Sequence, residues 1–177
     1  INDEPEFGIT VHYMDEGIDT GDIILQKCYR INDEDNYATL LDIAYKGCSN
    51  LLFEAIQNIQ NNKVERKSQN KIHSIGSYCS SRTVGDEIID WNQSSREIFN
   101  FVRGICTPGP QARTFLNKEE IFINSSKYII DAPTYKGIPG AVIGLGKESI
   151  NVKTADSFIK ITEWTSNAKI KVGDRFK

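Results

Sequence analysis

The sequence contains no apolar run that approaches the roughly 18 residues needed to cross a membrane. Its four cysteines are widely spaced and form no Cys-x-x-Cys pair or Cys/His cluster, which argues against a zinc site or a redox pair. We therefore predict no membrane association, no bound metal, and free thiols in a reducing cytoplasm.

The chain also lacks an initiator Met. It reaches its first acidic loop after about a dozen residues, too few for a complete α/β domain. We expect it to be the C-terminal portion of a longer protein.

Charge is distributed unevenly along the chain. Residues 1–62 hold three basic side chains against twelve acidic ones, whereas residues 63–177 hold eighteen against twelve. This asymmetry indicates two units with different partners, and the basic unit could bind phosphate groups. A solvated basic surface without a ligand is the alternative.

The first segment has the pattern of a strand, an acidic loop, a second strand and a helix. Apolar or aromatic residues alternate with others from Ile9 to Tyr13, and β-type residues return from Ile23 to Ile31. Between them, Gly17 and Gly21 permit a tight loop that carries four acidic residues: Asp15, Glu16, Asp19 and Asp22. Apolar residues then recur at helical spacing to about residue 60. Two strands and one helix cannot bury a core, so we predict the last elements of a larger α/β sheet.

Residues 63–83 have the composition of a linker, and a second unit follows over residues 84–177. Ser94 and Glu97 predict a capping box, and the TPGP sequence at 107–110 ends the helix. From Ala112 onward, short runs separated by turn residues predict a small antiparallel barrel with these strands: Glu120–Ile123, Tyr128–Ile130, Gly140–Ile143, Ser149–Val152 and Phe158–Trp164. Most of six aromatic residues are expected to point into its core: Phe115, Phe122, Tyr128, Tyr135, Phe158 and Trp164.

Two stretches resemble a known family. GITVHYMDEGIDTGDII (8–24) is similar to a loop of the 10-formyltetrahydrofolate-dependent formyltransferases, which include methionyl-tRNA, glycinamide ribonucleotide and nucleotide-sugar N-formyltransferases. IIDWNQSSREIFNFVRGICTPGPQART (88–114) and PGAVIGLGKESINVKTADSFIKITEW (139–164) resemble the C-terminal domain of the tRNA and sugar branches. The resemblance implies the end of a Rossmann-like catalytic domain over 1–62 and an OB-like barrel over 84–177.

The resemblance implies transfer of a formyl group from 10-formyltetrahydrofolate to a primary amine. It assigns a proton-transfer role to Asp19 and makes the main chain of Asp15, Glu16, Gly17 and Ile18 part of the folate site. The Asn-x-His pair of the family is absent from this sequence. We therefore expect the chain alone to be inactive.

The two histidines do not replace that pair. His12 is expected to be a satisfied strand histidine and His73 an exposed linker residue. Asp22 is expected to anchor the loop, and we give Asp90, Trp91 and Arg103 structural roles only.

Two acceptors stay open. Ser81–Thr83 ahead of Ile88–Trp91 resembles the sugar branch, and the Pro-Gly-Pro turn departs from the Pro-Trp-Pro of the tRNA branch. The excess of basic residues after residue 62 favours tRNA instead, because phosphate contacts need Lys and Arg. We favour a nucleotide-linked amino sugar, with tRNA as the alternative and homo-oligomerisation open. A non-catalytic barrel that binds nucleic acid or protein is the alternative from another class.

Overall fold

The computed structural model describes residues 1–72 and 76–177, which form two compact units. The hairpin unit comprises Glu4–Asp33 and Thr39–Ser81, and the barrel unit comprises Ile1–Asp3, Glu34–Ala38 and Arg82–Lys177. His73, predicted to be an exposed linker residue, lies outside the described residues.

The hairpin unit is built on two antiparallel strands, β1 (Glu6–His12) and β2 (Ile23–Arg30). Their ladder becomes irregular between Val11 and His12, next to the acidic loop. The long helix α1 spans Tyr37–Gln60, all but its first two residues belonging to this unit, and the short helix α2 spans Gln69–Ile72. The predicted strand, loop, strand and helix are thus confirmed.

A glycine allows α1 to pack closely on the hairpin. A Cβ atom at Gly47 would lie 2.6 Å from Ile9 Cδ1 and 2.7 Å from Tyr29 Oη. Leu51 and Ala55, one and two turns later on the same side, are buried. The hairpin leaves another side of α1 exposed, and that side is also apolar: Tyr45, Leu52, Phe53, Ile56 and Ile59.

The barrel unit is a five-stranded antiparallel sheet with one helix, α3 (Ser95–Ile105). Its strands are β3 (Ala112–Leu116), β4 (Glu119–Lys127), β5 (Val142–Gly146), β6 (Ser149–Lys153) and β7 (Phe158–Ser166). They are paired in the order β3-β4-β7-β6-β5.

The last residues of the chain join the two edges of this sheet. Val142 of β5 donates its amide to the carbonyl of Asp174 at 2.8 Å, and Phe176 donates to Gly140 at 2.8 Å. Phe115 of β3 and Lys177 exchange two main-chain hydrogen bonds of 3.0 and 3.1 Å. This segment therefore bridges both edge strands and closes the sheet into the predicted barrel.

The barrel core consists mainly of isoleucine and valine. Helix α3 contributes Ile98, Val102 and Ile105, and β4, β6 and β7 contribute the following residues: Ile121, Ile123, Ile150, Val152, Ile159 and Ile161. Trp91 lies in the same core, where its Nε1 donates to Thr114 Oγ1 at 2.9 Å.

Three details of the predicted barrel differ in the structure. Residues 128–130 form no strand, whereas β4 extends beyond its predicted end through the polar residues 124–126, with irregular pairing at Ser125. The strand at Ala112–Leu116 was absent from the predicted list. The prediction that most of the six aromatics point into the core is wrong: Tyr128 and Trp164 pack against the core while partly buried, but Tyr135 is 39% exposed. On β3, for example, strand alternation turns Ala112, Thr114 and Leu116 inward and leaves Phe115 only half-buried.

The predicted capping box at the start of α3 is present. The Ser94 hydroxyl accepts from the Glu97 amide, and a Glu97 carboxylate oxygen accepts from the Ser94 amide at 2.8 Å. Asp156 supports the same turn, because its Oδ1 accepts hydrogen bonds from the amide of Ser95 at 2.8 Å and from the hydroxyl of Thr154 at 2.9 Å. Its negative charge at a helix N-terminus is favourable.

Replacing Thr114 by valine should destabilise the barrel unit. Valine keeps the volume but leaves the buried Trp91 indole N–H and the Lys177 carbonyl without the Thr114 hydroxyl. We expect a loss of about 1–3 kcal/mol in the free energy of unfolding, measured by urea denaturation. The exposed Thr165→Val on β7 is the matched control. Equal losses in the two variants would contradict this role for the hydroxyl.

Asp156 should make the barrel unit sensitive to acid. Burial alone would raise the pKa of this carboxyl, but hydrogen bonds from Ser95, Thr154 and Ser157 lower the pKa of Asp156 from 3.8 to about 2. A folded-state pKa below the unfolded one adds stability that is present above about pH 4 and is lost as pH falls towards 2, here about 2 kcal/mol. Urea denaturation between pH 2 and 7 should show this loss in the unsubstituted chain and in the control Asp131→Asn. In Asp156→Asn the acid-induced loss of stability should be smaller by about 2 kcal/mol. An unchanged pH dependence in this variant would refute the role given to Asp156.

Candidate functional site

The acidic loop between β1 and β2 is closed by its own main chain. The amide of Tyr13 donates to the carbonyl of Asp22 at 2.9 Å. Gly21 makes this closure sterically feasible, because a Cβ atom there would collide with the carbonyl of Tyr13. The loop therefore has a tight neck, and Asp15–Thr20 form its exposed tip.

Within the tip, Asp15 acts as a turn residue. Its Oδ1 accepts hydrogen bonds from the amide of Gly17 at 3.1 Å and from the hydroxyl of Thr20 at 2.5 Å. Both hydrogen bonds hold the pKa of Asp15 below its ordinary value, and the bond from Thr20 has the larger effect. Gly17 lies so close to Thr20 that a Cβ would collide with the threonine hydroxyl. The Asp15 side chain is thus committed to the loop itself.

The predicted folate-binding residues Asp15, Glu16, Gly17 and Ile18 form one continuous exposed stretch. Ile18 is 85% exposed. Over residues 1–72 and 76–177, Glu16 and Ile18 make no hydrogen bond to another main-chain group. Their amides and carbonyls can therefore bind the edge of a planar heterocycle that has both donors and acceptors.

Asp19 stands at the same tip with a left-handed backbone, φ 55°. Aspartate is one of the few residue types that tolerate this conformation. Its side chain is 86% exposed, and its Oδ1 lies 3.5 Å from Nε2 of His12.

The sequence did not indicate this contact between Asp19 and His12. The imidazole has the hydrogen bond expected of a satisfied strand histidine, since Nδ1 lies 2.8 Å from the carbonyl of Tyr13. Its other nitrogen, however, faces Asp19. No local pattern predicts this pair, because the contact depends on how the loop brings its tip back to the end of β1.

A segment predicted as linker supports the neck of the loop. Lys67 exchanges two main-chain hydrogen bonds with Ile23, of 2.8 and 3.2 Å. Gln69 Nε2 donates to the carbonyl of Gly21 at 2.7 Å, and the guanidinium of Arg66 lies 4.3 Å from the centre of the Tyr13 ring.

The polar residues singled out in the second segment have intramolecular partners. Asp90 accepts hydrogen bonds from the amide and side chain of Asn92. Arg103 donates to Asn100 Oδ1 at 2.9 Å and lies 3.7 Å from Asp3. Together with the buried Trp91, they fit the predicted structural roles.

The described part of the chain contains neither a membrane-spanning helix nor a cluster of metal-ligating side chains. No helix there is both long and apolar enough to cross a membrane. Nor do three or more metal-ligating side chains come together.

Two family models match this chain. The model described as "Formyl transferase" matches residues 2–56, and that described as "Formyl transferase, C-terminal domain" matches residues 83–174. Among curated relatives, a methionyl-tRNA formyltransferase from Pelotomaculum thermopropionicum is 34% identical over 163 residues. That alignment covers 92% of this chain and 50% of the relative.

Solved structures of sugar formyltransferases are similar as well. An N-formyltransferase from Helicobacter canadensis, in complex with folinic acid and dTDP-3-aminofucose, has 32% identity and a TM-score of 0.65 over 93% of this chain and 58% of that one. WlaRD, a sugar 3N-formyltransferase, has 28% identity and a TM-score of 0.67 over 96% of this chain and 58% of that one.

This chain spans about half the length of the curated relatives that it matches. The two family models follow each other in the same order as the two resemblances found in the sequence. With the C-terminal model covering 83–174, the resemblance is confirmed, and this chain belongs to the formyl transferase family.

Proposed function

We propose that this chain is part of an enzyme that moves a formyl group from 10-formyltetrahydrofolate to a primary amine. The observation that carries the proposal is the exposed tip of the acidic loop, where the Asp19 carboxylate lies 3.5 Å from an imidazole. The folate supplies a formyl carbon that exchanges its bond to N10 for a bond to the acceptor amine, while one proton passes from that amine to N10.

In this proposal, the main chain of Asp15–Ile18 holds the pterin part of the folate. Support comes from the exposure of these residues and from the main-chain groups of Glu16 and Ile18, which the surrounding chain leaves accessible. The internal hydrogen bonds of Asp15 keep this stretch in shape before the ligand arrives, which lowers the entropic cost of binding.

Asp19 is the proposed proton acceptor for the attacking amine. As a carboxylate, it has no proton of its own to donate and can take one from the amine nitrogen. Its exposure leaves it accessible to a substrate, and its left-handed backbone fixes where the side chain leaves the loop.

The proposed acceptor is an amino sugar carried on a nucleotide. The Helicobacter canadensis and WlaRD structures support this choice, at 32% and 28% identity. The tRNA alternative is supported by curated relatives of 34% identity that are methionyl-tRNA formyltransferases.

The arginines after residue 62 bear on the choice between these two acceptors. RNA binding depends on Lys and Arg side chains that are free to contact phosphates. All six arginines after residue 62 instead contact groups of the chain itself: Arg66 with the Tyr13 ring, Arg82 with the Asp86 carbonyl, Arg96 with Asp3, Arg103 with Asn100, Arg113 with Glu87 and Glu120, and Arg175 with the Pro139 carbonyl. The basic excess of residues 63–177 is therefore less available to phosphates than its number suggests, which favours the sugar.

A barrel that only binds nucleic acid is less well supported. Phe115 and Phe122 are half-buried and line a shallow groove on the barrel with Lys118. Glu119 and Glu120 line the same groove, and their carboxylates would repel a phosphate backbone.

The proposal also covers the domain boundaries, the cellular location and the activity of this chain alone. We assign residues 1–62 to the catalytic domain, 63–83 to a linker and 84–177 to an OB-like domain, and we place the enzyme in the cytoplasm. Because the Asn-x-His pair of the family is absent from these 177 residues, we expect the chain alone not to catalyse the reaction.

Replacing Asp19 by asparagine should abolish most of the formyl transfer. Asparagine tolerates the same backbone conformation but cannot accept the proton, so we expect kcat to fall by about 100-fold or more. The measurement is formyl transfer from 10-formyltetrahydrofolate by the complete gene product that contains this chain. Asp22→Asn, at the loop neck, is the control and should keep near-normal activity. Full activity of Asp19→Asn would remove Asp19 from the proposed chemistry.

The acceptor is tested by giving the same protein a panel of nucleotide-linked amino sugars and, separately, methionyl-tRNA. We expect turnover with a sugar and little dependence of KM on salt. Turnover of the tRNA alone, with a KM that rises steeply with salt, would select the alternative acceptor. Salt-dependent binding of single-stranded nucleic acid without transfer to any acceptor would favour the binding module.

A further inference from the structure

We propose that His12 is a positioning residue for Asp19, holding its carboxylate in place through Nε2. The proposal rests on the function proposed above, because it concerns the residue that would accept the proton of the amine.

The orientation of the His12 ring is set by its other nitrogen. Nδ1 lies 2.8 Å from the carbonyl oxygen of Tyr13, and a carbonyl only accepts hydrogen bonds. Nδ1 therefore carries a hydrogen whether the imidazole is neutral or charged, and Nε2 carries the lone pair of the neutral form. The ring side chain is only 26% exposed, which limits its alternative rotamers.

Gly21 makes this orientation achievable. A Cβ atom at Gly21 would collide with the Tyr13 carbonyl and would lie 3.3 Å from Nδ1 of His12. The Gly21 main chain therefore lies beside the two atoms that fix the ring, the Tyr13 carbonyl oxygen and Nδ1 of His12. The irregular pairing between Val11 and His12 lies at the same place and ends the regular alternation of β1.

A hydrogen on Nε2 decides whether the contact between His12 and Asp19 is attractive. With Nδ1 protonated, a neutral imidazole would turn the lone pair of Nε2 towards the carboxylate 3.5 Å away, and two acceptors would face each other. A hydrogen on Nε2 removes that repulsion and can donate a charge-assisted hydrogen bond to the Asp19 carboxylate after a small movement of the exposed aspartate.

Asp15, on the same loop, is near enough for a positive charge on His12 to help lower the pKa of Asp15, after its hydrogen bonds with Thr20 and Gly17. On the neighbouring segment, Arg66 contacts the ring of Tyr13, and Lys67 pairs with β2 through its main chain. A positive charge on His12 would therefore interact with the carboxylates of Asp19 and Asp15.

Three substitutions at His12 separate positioning of Asp19 from support of the loop. Glutamine can place an amide N–H near the Nε2 position, asparagine can place one near Nδ1, and phenylalanine offers neither. In the complete gene product, we expect His12→Phe and His12→Asn to lower kcat for formyl transfer by about 10- to 100-fold with little change in the KM for the folate. His12→Gln should recover most of kcat, because its amide N–H can still donate to the Asp19 carboxylate.

The opposite pattern would overturn the proposal. Rescue by asparagine and not by glutamine would mean that His12 only tethers the Tyr13 carbonyl, and full activity of His12→Phe would mean that it has no role. In an Asp19→Asn background, His12→Phe should cause no further loss, because a positioning residue acts only through its target.

A spectroscopic measurement tests the contact between His12 and Asp19 independently of formyl transfer. The nitrogen-15 chemical shifts of the neutral His12 ring should show the hydrogen on Nδ1, and the Nε2 signal should change in Asp19→Asn. A neutral ring with its hydrogen on Nε2, or an Nε2 signal indifferent to Asp19→Asn, would overturn the inference even if the protein transfers formyl groups. The expected signals without any formyl transfer would instead reject the proposed function and leave the contact standing.

Discussion

The main-chain contact at the neck of the acidic loop, where Gly21 passes against the carbonyl of Tyr13, governs the geometry of the candidate site. This contact turns the chain between two antiparallel strands, exposes the tip and places the His12 ring beside the turn. The hydrogen bonds of Lys67 and Gln69 support the neck from a neighbouring segment. The side chains at the tip can remain exposed because the main chain below them is fixed.

The barrel unit needs hydrogen-bond partners for the main-chain groups at the two edges of its five-stranded sheet. The final segment supplies partners to both edges, through Val142 and Phe115. Aliphatic side chains fill the interior, while several guanidinium groups hold segments together on the outside through ion pairs. The charge of this unit therefore serves its own structure as well as any ligand.

Periodicity and local signals predicted most elements of the fold. The alternation before the acidic loop, the helical spacing after residue 37 and the Ser94/Glu97 capping box depend on neighbouring residues, and all three are present. Local signals failed where tertiary structure decides: β4 runs through polar residues because β7 pairs with them, and Phe115 is excluded from the core by register. The contact between His12 and Asp19 was likewise missed, because it depends on the path of the loop between them. The resemblance, rather than any spacing, selected Asp19.

The left-handed backbone of Asp19 also restricts how this position can change over time. Glycine and asparagine are the other residues that readily adopt such a φ, and each is one base change away from an aspartate codon. A single nucleotide substitution can therefore remove the carboxylate and leave the loop geometry intact. A relative of this protein could lose the carboxylate in one mutational step and still display a correctly folded loop, so the shape of the loop alone does not identify a functional copy.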